Sequence, residues 1–261
     1  MTEHREFEIP AEHPAFKIPT NREVKIWRYM DLAKYIAILQ RRSLFFPRGT
    51  LLGDPFEGSS TKPMVATRQY IMQNRTSDPA LAEYKDLSDA YFAVGDFYKM
   101  AVGKYLISCW HMNEHESAAM WRLYLRSNEG VCIQSTYQKL RACLPKCVMI
   151  GEVKYIDYNT EEFAPAMLFN FILHKRKSFE HERELRAVFW EESGVQDAQP
   201  YKTKIEPAGL WIEVDLPSLI ETVHISPAAE PWLVTVIQEV TAKYDLHVPV
   251  LQSALGESPL Y

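Results

Sequence analysis

The sequence predicts an α+β fold: a mixed, partly antiparallel sheet surrounded by helices. Three observations predict it. Short apolar or alternating runs recur as strand candidates, among them residues 24–29, 105–110 and 184–190. Helical periodicity falls between them, without the regular strand–helix–strand rhythm of a parallel sheet. The 261 residues are 47% hydrophobic and 24% charged, enough to bury a large core and too apolar for a disordered chain.

Taken in order, residues 1–22 carry three prolines and no period, and read as an extended arm ahead of a single α+β domain over 23–261. Val24-Lys25-Ile26-Trp27-Arg28-Tyr29 alternates as a strand does. Asp31 is placed to cap a helix over 32–42, with Leu32, Tyr35, Ile36 and Leu39 on one face. A short strand follows at 43–46, then a long loop marked by Pro47, Gly49, Gly53 and Pro55. Residues 63–102 read as helical with a break at Ser77-Asp78-Pro79, where an acidic cap precedes proline. A buried strand at 105–110, a helix at 116–126, a strand at 131–134 and a short helix at 136–144 come next. The pattern then predicts a strand over 148–158 and a helix over 161–178 with Met167, Leu168, Phe171 and Ile172 on its apolar face. Strands at 184–190, 210–214 and 223–225, an amphipathic helix at 231–244 and a final edge strand at 248–250 complete the chain.

Several function classes lose support at once. A net charge of −5 lends no bulk electrostatic support to nucleic-acid binding, although a local basic groove stays open. Cys109, Cys132, Cys143 and Cys147 form no Cys-x-x-Cys pair and no zinc set, and read as buried thiols of a reducing compartment. No apolar leader core opens the chain, and no stretch reaches the roughly 20 apolar residues a membrane helix needs, so a cytoplasmic protein without membrane contact is expected. There is no glycine-rich phosphate loop, nucleophile elbow or kinase signature.

Three blocks carry chemistry. In the first, Arg28 and Tyr29 are followed by Gly53-Asp54-Pro55-Phe56-Glu57-Gly58. Asp54 either caps a turn or stands with Glu57 on a stiff loop facing a ligand. In the second, Trp121 and Tyr124 are three apart and share a helix face, as a core stripe or as an aromatic wall for a planar ligand. His111 and His115, four apart, would be neighbours on a helix but lack an HExxH order, and no metal is expected. The third block runs from Lys175 through Phe179-Glu180-His181-Glu182-Arg183-Glu184-Leu185-Arg186. On a strand, Glu182, Glu184 and Arg186 share one face, and Leu185, Ala187 and Phe189 take the other, into the core. Charges so placed need partners, either in a structural Glu–Arg network or as a ligand-facing carboxylate held by Arg186 and Lys175.

The blocks DPFEG, SCWH, MWRLY, GVCIQ and FEHERELRAV, in that order over about residues 25–228, resemble a bacterial family of unknown function associated with abortive-infection and phage-defence loci. Trp110-His111 stands where that family would carry a smaller Phe-Ser type pair, so the resemblance assigns the pair no role. More distantly, Arg28 on a strand, the helix from Asp31 and the strand at 44–46 are similar to the opening of ADP-ribosyltransferases.

That second resemblance implies an enzyme using NAD as substrate and moving ADP-ribose to a target that the sequence does not name. It puts the late-strand glutamate on Glu184 or Glu182, with Arg186 setting the carboxylate geometry. Arg28 would hold a phosphate or the carboxamide, and Tyr29, Trp121 and Tyr124 would wall the nicotinamide. Two alternatives stay open. One is a metal-dependent nuclease built on Asp54, Glu57, Glu182, Glu184 and Lys175, and the other is a non-catalytic module sensing a nucleotide or a protein.

Overall fold

The computed structural model describes residues 13–86, 100–125, 128–164 and 167–259. Its centre is a mixed seven-stranded sheet. β1 (Lys25–Asp31) leads into α1 (Leu32–Arg41), which starts where the Asp31 side chain accepts from the Lys34 N–H. β2 (Ser43–Pro47), α2 (Lys62–Asn74), β3 (Tyr105–Met112), α3 (Ala118–Tyr124), β4 (Gly130–Thr136) and α4 (Tyr137–Cys143) follow. Then come β5 (Val148–Glu152), β6 (Lys154–Ile156), β7 (His174–Arg176), β8 (Glu184–Trp190), β9 (Gly209–Glu213), β10 (Thr222–Ile225), α5 (Pro231–Lys243) and β11 (Val250–Gln252).

The strand order is β11-β10-β4-β1-β3-β8-β5, antiparallel throughout except for the β10/β11 pair, while β2 pairs β9 and β6 pairs β7 outside the sheet. The alternation read for β8 holds. Leu185, Ala187 and Phe189 enter the main core with Tyr35, Ile38 and Leu39 of α1 and Leu233 and Ile237 of α5. Val188 joins a second cluster on the other side, with Tyr105, Ile107 and Phe169.

One irregularity positions everything functional. β1 and β3 meet through two residue pairs, Ile26 with Met112 and Trp27 with His111. Beyond them β1 pairs with β4 and β3 with β8, apart from an isolated bridge between Leu106 of β3 and Arg48. The sheet therefore parts down its middle, and a cleft opens between the two halves.

Four expectations need correction. The helix over 161–178 is not there: residues 170–173 make one helical turn, β7 follows, and Lys177–Glu182 is a 3-10 turn. Its apolar residues serve different clusters, Phe171 packing with Met64 and Tyr158 while Ile172 packs with Phe16 and Ile107. The strand over 148–158 breaks between β5 and β6, where the Val153 N–H turns to the Glu184 carbonyl. The helix over 63–102 ends at Asn74, Pro79–Tyr84 forms a 3-10 segment, and residues 87–99 lie outside the described residues. The last strand is displaced to 250–252. Of the N-terminal arm, 1–12 lie outside the described residues, while Phe16 packs against Phe169 at 5.2 Å and the Lys17 carbonyl accepts from Glu152 N.

Gly58 closes the DPFEG loop in the left-handed region, at φ +74, and a Cβ there would lie 2.0 Å from Val102 Cγ2. Gly58→Ala should therefore destabilise the protein by about 2–4 kcal/mol, from left-handed strain plus overpacking, as read by denaturant or thermal unfolding.

Candidate functional site

The cleft between β1 and β3 encloses about 860 Å³. Arg28, Tyr29, Asp54, Glu57, Tyr124, Lys175, Glu182, Glu184 and Arg186 all line it. Trp121 does not: its indole N–H donates to Glu116 Oε2 at 3.0 Å and its ring meets Tyr29 edge-on at 5.0 Å. It backs the wall that Tyr29 forms.

The floor is a buried charge cluster. Arg186, 1% exposed, donates from Nε to Glu184 Oε2 at 2.7 Å. Its two terminal nitrogens grip Glu57 at 2.9 and 2.7 Å, and one also donates to the Ile172 carbonyl at 2.7 Å. Lys175 Nζ reaches Glu182 Oε2 at 2.5 Å, Glu184 Oε1 at 2.6 Å and Glu57 Oε1 at 3.7 Å. Three carboxyls thus share two cations, and Glu182 and Glu184 share one ammonium.

Local structure explains how neighbours in sequence reach one cavity. Glu182 is not on the strand, as the alternation would have it, but ends the 3-10 turn, and Arg183 caps that turn at φ +40. This left-handed residue swings the chain so that Glu182 and Glu184 both enter the cleft, and its carbonyl is fixed by the Met112 N–H at 2.9 Å. Asp54 caps its own turn, accepting from Phe56 N at 3.0 Å, and both its oxygens receive Arg176 at 2.7 and 3.2 Å. Arg176 lies between the rings of Phe56, at 4.1 Å, and Phe179, at 5.1 Å.

Charge imbalance splits the two glutamates. Burial lifts Glu182 to about 7, with the Glu184 carboxylate adding to it and Lys175 opposing. Burial also works against the charge on Glu184, but Arg186 and Lys175 outweigh it and hold this carboxyl well below the usual range. Near neutral pH the cluster holds an ionised Glu184 beside a partly protonated Glu182.

Stability should follow. Glu182 has a folded pKa above its ordinary 4.5, so its contribution is fully present below about 4.5 and lost as pH rises through about 7. Glu184 does the opposite, and its contribution fades only in acid. Glu182→Gln, which mimics the neutral acid, should therefore gain Tm relative to the wild type as pH rises from about 4.5 to about 7 in a paired thermal-shift series.

On the other side of the split, Arg28 donates one nitrogen to the Phe45 carbonyl at 2.8 Å and stands 5.7 Å from the Trp110 ring centroid. Its second terminal nitrogen is buried without a partner. Burial pulls its pKa down to about 10, so it stays cationic at neutral pH. Tyr29 accepts the Ser117 N–H at 2.7 Å, and Tyr124 lies half-exposed in the lining.

Sequence reasoning gave no place in the site to Cys109 and His111, which line the cleft, or to Arg176, which holds Asp54 there. Arg176 was hidden inside the expected helix. His111 was read only as half of a metal pair with His115, but it sits on β3, and His115 is an exposed loop residue. The acids proposed for a nuclease are each engaged by Lys175, Arg176 or Arg186, and among the described residues no His/Cys/Asp/Glu group is arranged to hold a metal ion. No described helix is long and apolar enough to cross a membrane.

No family model matches the chain. No curated protein sequence matches it either. Two solved structures of Thermus sp. 2.9 DarT show a distant likeness. The one in complex with NAD+ has a TM-score of 0.42 and 8% identity, covering 92% of this chain and 100% of that one. The one in complex with ADP-ribosylated ssDNA has a TM-score of 0.39 and 8% identity, covering 91% and 97%. Likeness at these scores says nothing about what this chain binds, so the chemistry of the cleft stands on its own residues.

Proposed function

We propose that the cleft binds NAD and breaks its nicotinamide–ribose bond, passing ADP-ribose to an acceptor. The observation that carries this reading is the split carboxyl pair: an ionised Glu184 and a Glu182 lifted toward neutrality, their oxygens within about 5 Å of each other through Lys175. Leaving-group departure from an N-riboside builds positive charge on the ribose, as in glycoside cleavage. A carboxylate fixed by Arg186 and Lys175 stabilises that charge without reorganising. Glu182, carrying a proton, can orient the acceptor by hydrogen bonding.

The remaining lining suits the rest of the molecule. The unpartnered nitrogen of Arg28 is a buried cationic donor for a phosphate or the carboxamide. Tyr29 and Tyr124 offer ring surface to the nicotinamide, with Trp121 fixing Tyr29 from behind. The volume lies within the range of small-ligand sites. Buried ion clusters contribute little to stability compared with apolar packing, so five such charges at the base of a cleft favour a functional role over a structural one.

Incubation with NAD labelled in the nicotinamide ring tests the reading. Time-dependent release of free nicotinamide by the intact protein is expected. No release above a no-enzyme control, with or without added protein or nucleic acid as acceptor, would refute it. The abortive-infection resemblance gives the activity a setting, and expression in a bacterial host should slow growth through NAD loss.

A further inference from the structure

His111 presents a second buried polar atom without a partner in the cleft. Its side chain is 6% exposed and its ring lines the cavity. Nδ1 lies 2.6 Å from the Glu182 carbonyl oxygen, which can only accept, so Nδ1 carries the hydrogen. In the neutral ring Nε2 is then a bare lone pair, and Nε2 is the atom that is buried and unpartnered. A backbone carbonyl thus fixes the tautomer, and the same residue that places the carbonyl, Glu182, places the carboxyl proposed to orient the acceptor.

We propose that His111 is the general base of the transfer, taking the proton from an acceptor hydroxyl or water through Nε2. The proposal rests on the NAD reading above. As the bond from ribose C1′ to the nicotinamide nitrogen breaks, its electron pair leaves with neutral nicotinamide. The acceptor oxygen bonds to C1′, and its proton passes to Nε2, giving an imidazolium that later returns the proton to solvent.

Of the groups able to accept a proton here, Glu182 is already partly protonated and Glu184 is committed to Arg186 and Lys175. Burial keeps the imidazole below its ordinary 6.5, against the pull of the Glu182 carbonyl, so it is neutral at pH 7. The groups around it are Glu182, Arg183 and His181 from the turn, Glu184 opposite it in the β3/β8 register, and the Tyr29 ring at 6.3 Å from β1.

His111→Asn tests this, because the asparagine amide can still donate to the Glu182 carbonyl while nothing replaces Nε2. With water as acceptor, the variant should hydrolyse NAD about 100-fold more slowly, lose the acid limb of the pH profile, and bind NAD within threefold of wild type. Histidine ¹⁵N spectra of the wild-type protein should show a neutral Nδ1–H ring at pH 7, a readout that does not depend on the variant folding. An Nε2–H tautomer, or His111→Asn within threefold of wild-type rate while Glu184→Gln is inactive, overturns the proposal alone. Absence of nicotinamide release by wild type overturns both it and the reading beneath it.

Discussion

Glu184→Gln should reduce nicotinamide release by about 1,000-fold, the largest catalytic effect expected of any single substitution, because it removes the fixed negative charge facing the ribose. NAD affinity should change by less than tenfold, since a glutamine amide still offers an oxygen to a hydroxyl. The substitution also leaves Arg186 and Lys175 with one fewer carboxylate between them, Glu57 and Glu182 remaining. Glu182 should respond by ionising at lower pH, because the like charge that helped lift it has gone. Burst kinetics and calorimetry on the variant separate these effects, and a thermal scan confirms that the loss is not one of fold.

Arg186→Met should be the most damaging change for stability. The guanidinium is fully enclosed and reaches two glutamates and the Ile172 carbonyl. Its loss leaves Glu57, Glu182 and Glu184 facing Lys175 alone. Removing one partner from a buried ionic cluster costs on the order of 3–5 kcal/mol, which for a chain of this size lowers Tm by about 10 °C. Arg186→Lys should not rescue it, because an ammonium cannot hold Glu57 with two parallel bonds and still reach Glu184. Adding Glu57→Gln to Arg186→Met should recover part of the loss, a coupling measurable in a double-mutant cycle.

Much of this arrangement is legible in the residues. Alternation in 184–190 separates Leu185, Ala187 and Phe189 from Glu184 and Arg186, and the structure sends the first set to the core and the second to the cleft. Asp31 announces α1, and the Asp-Pro-Phe-Glu-Gly run announces a stiff loop bearing acids. Periodicity misleads where one segment serves several cores. Residues 161–178 carry helix-like apolar spacing because Phe163, Phe169, Phe171 and Ile172 fill separate clusters along an irregular path. That error concealed Arg176, the partner of Asp54. The parting of the sheet after Trp27 and His111 leaves no mark in local pattern at all, since β1 and β3 each keep a full partner on their other edge. The role argued for His111 follows from that tertiary geometry and from a single carbonyl contact, neither of which spacing can reveal.

Soaking crystals of the slow Glu184→Gln protein with NAD should reveal the nicotinamide ribose within hydrogen-bond distance of residue 184, with Arg28 on a phosphate or the carboxamide. A cleft that stays empty at millimolar NAD, or NAD seated away from residues 28 and 184, would contradict the proposed function.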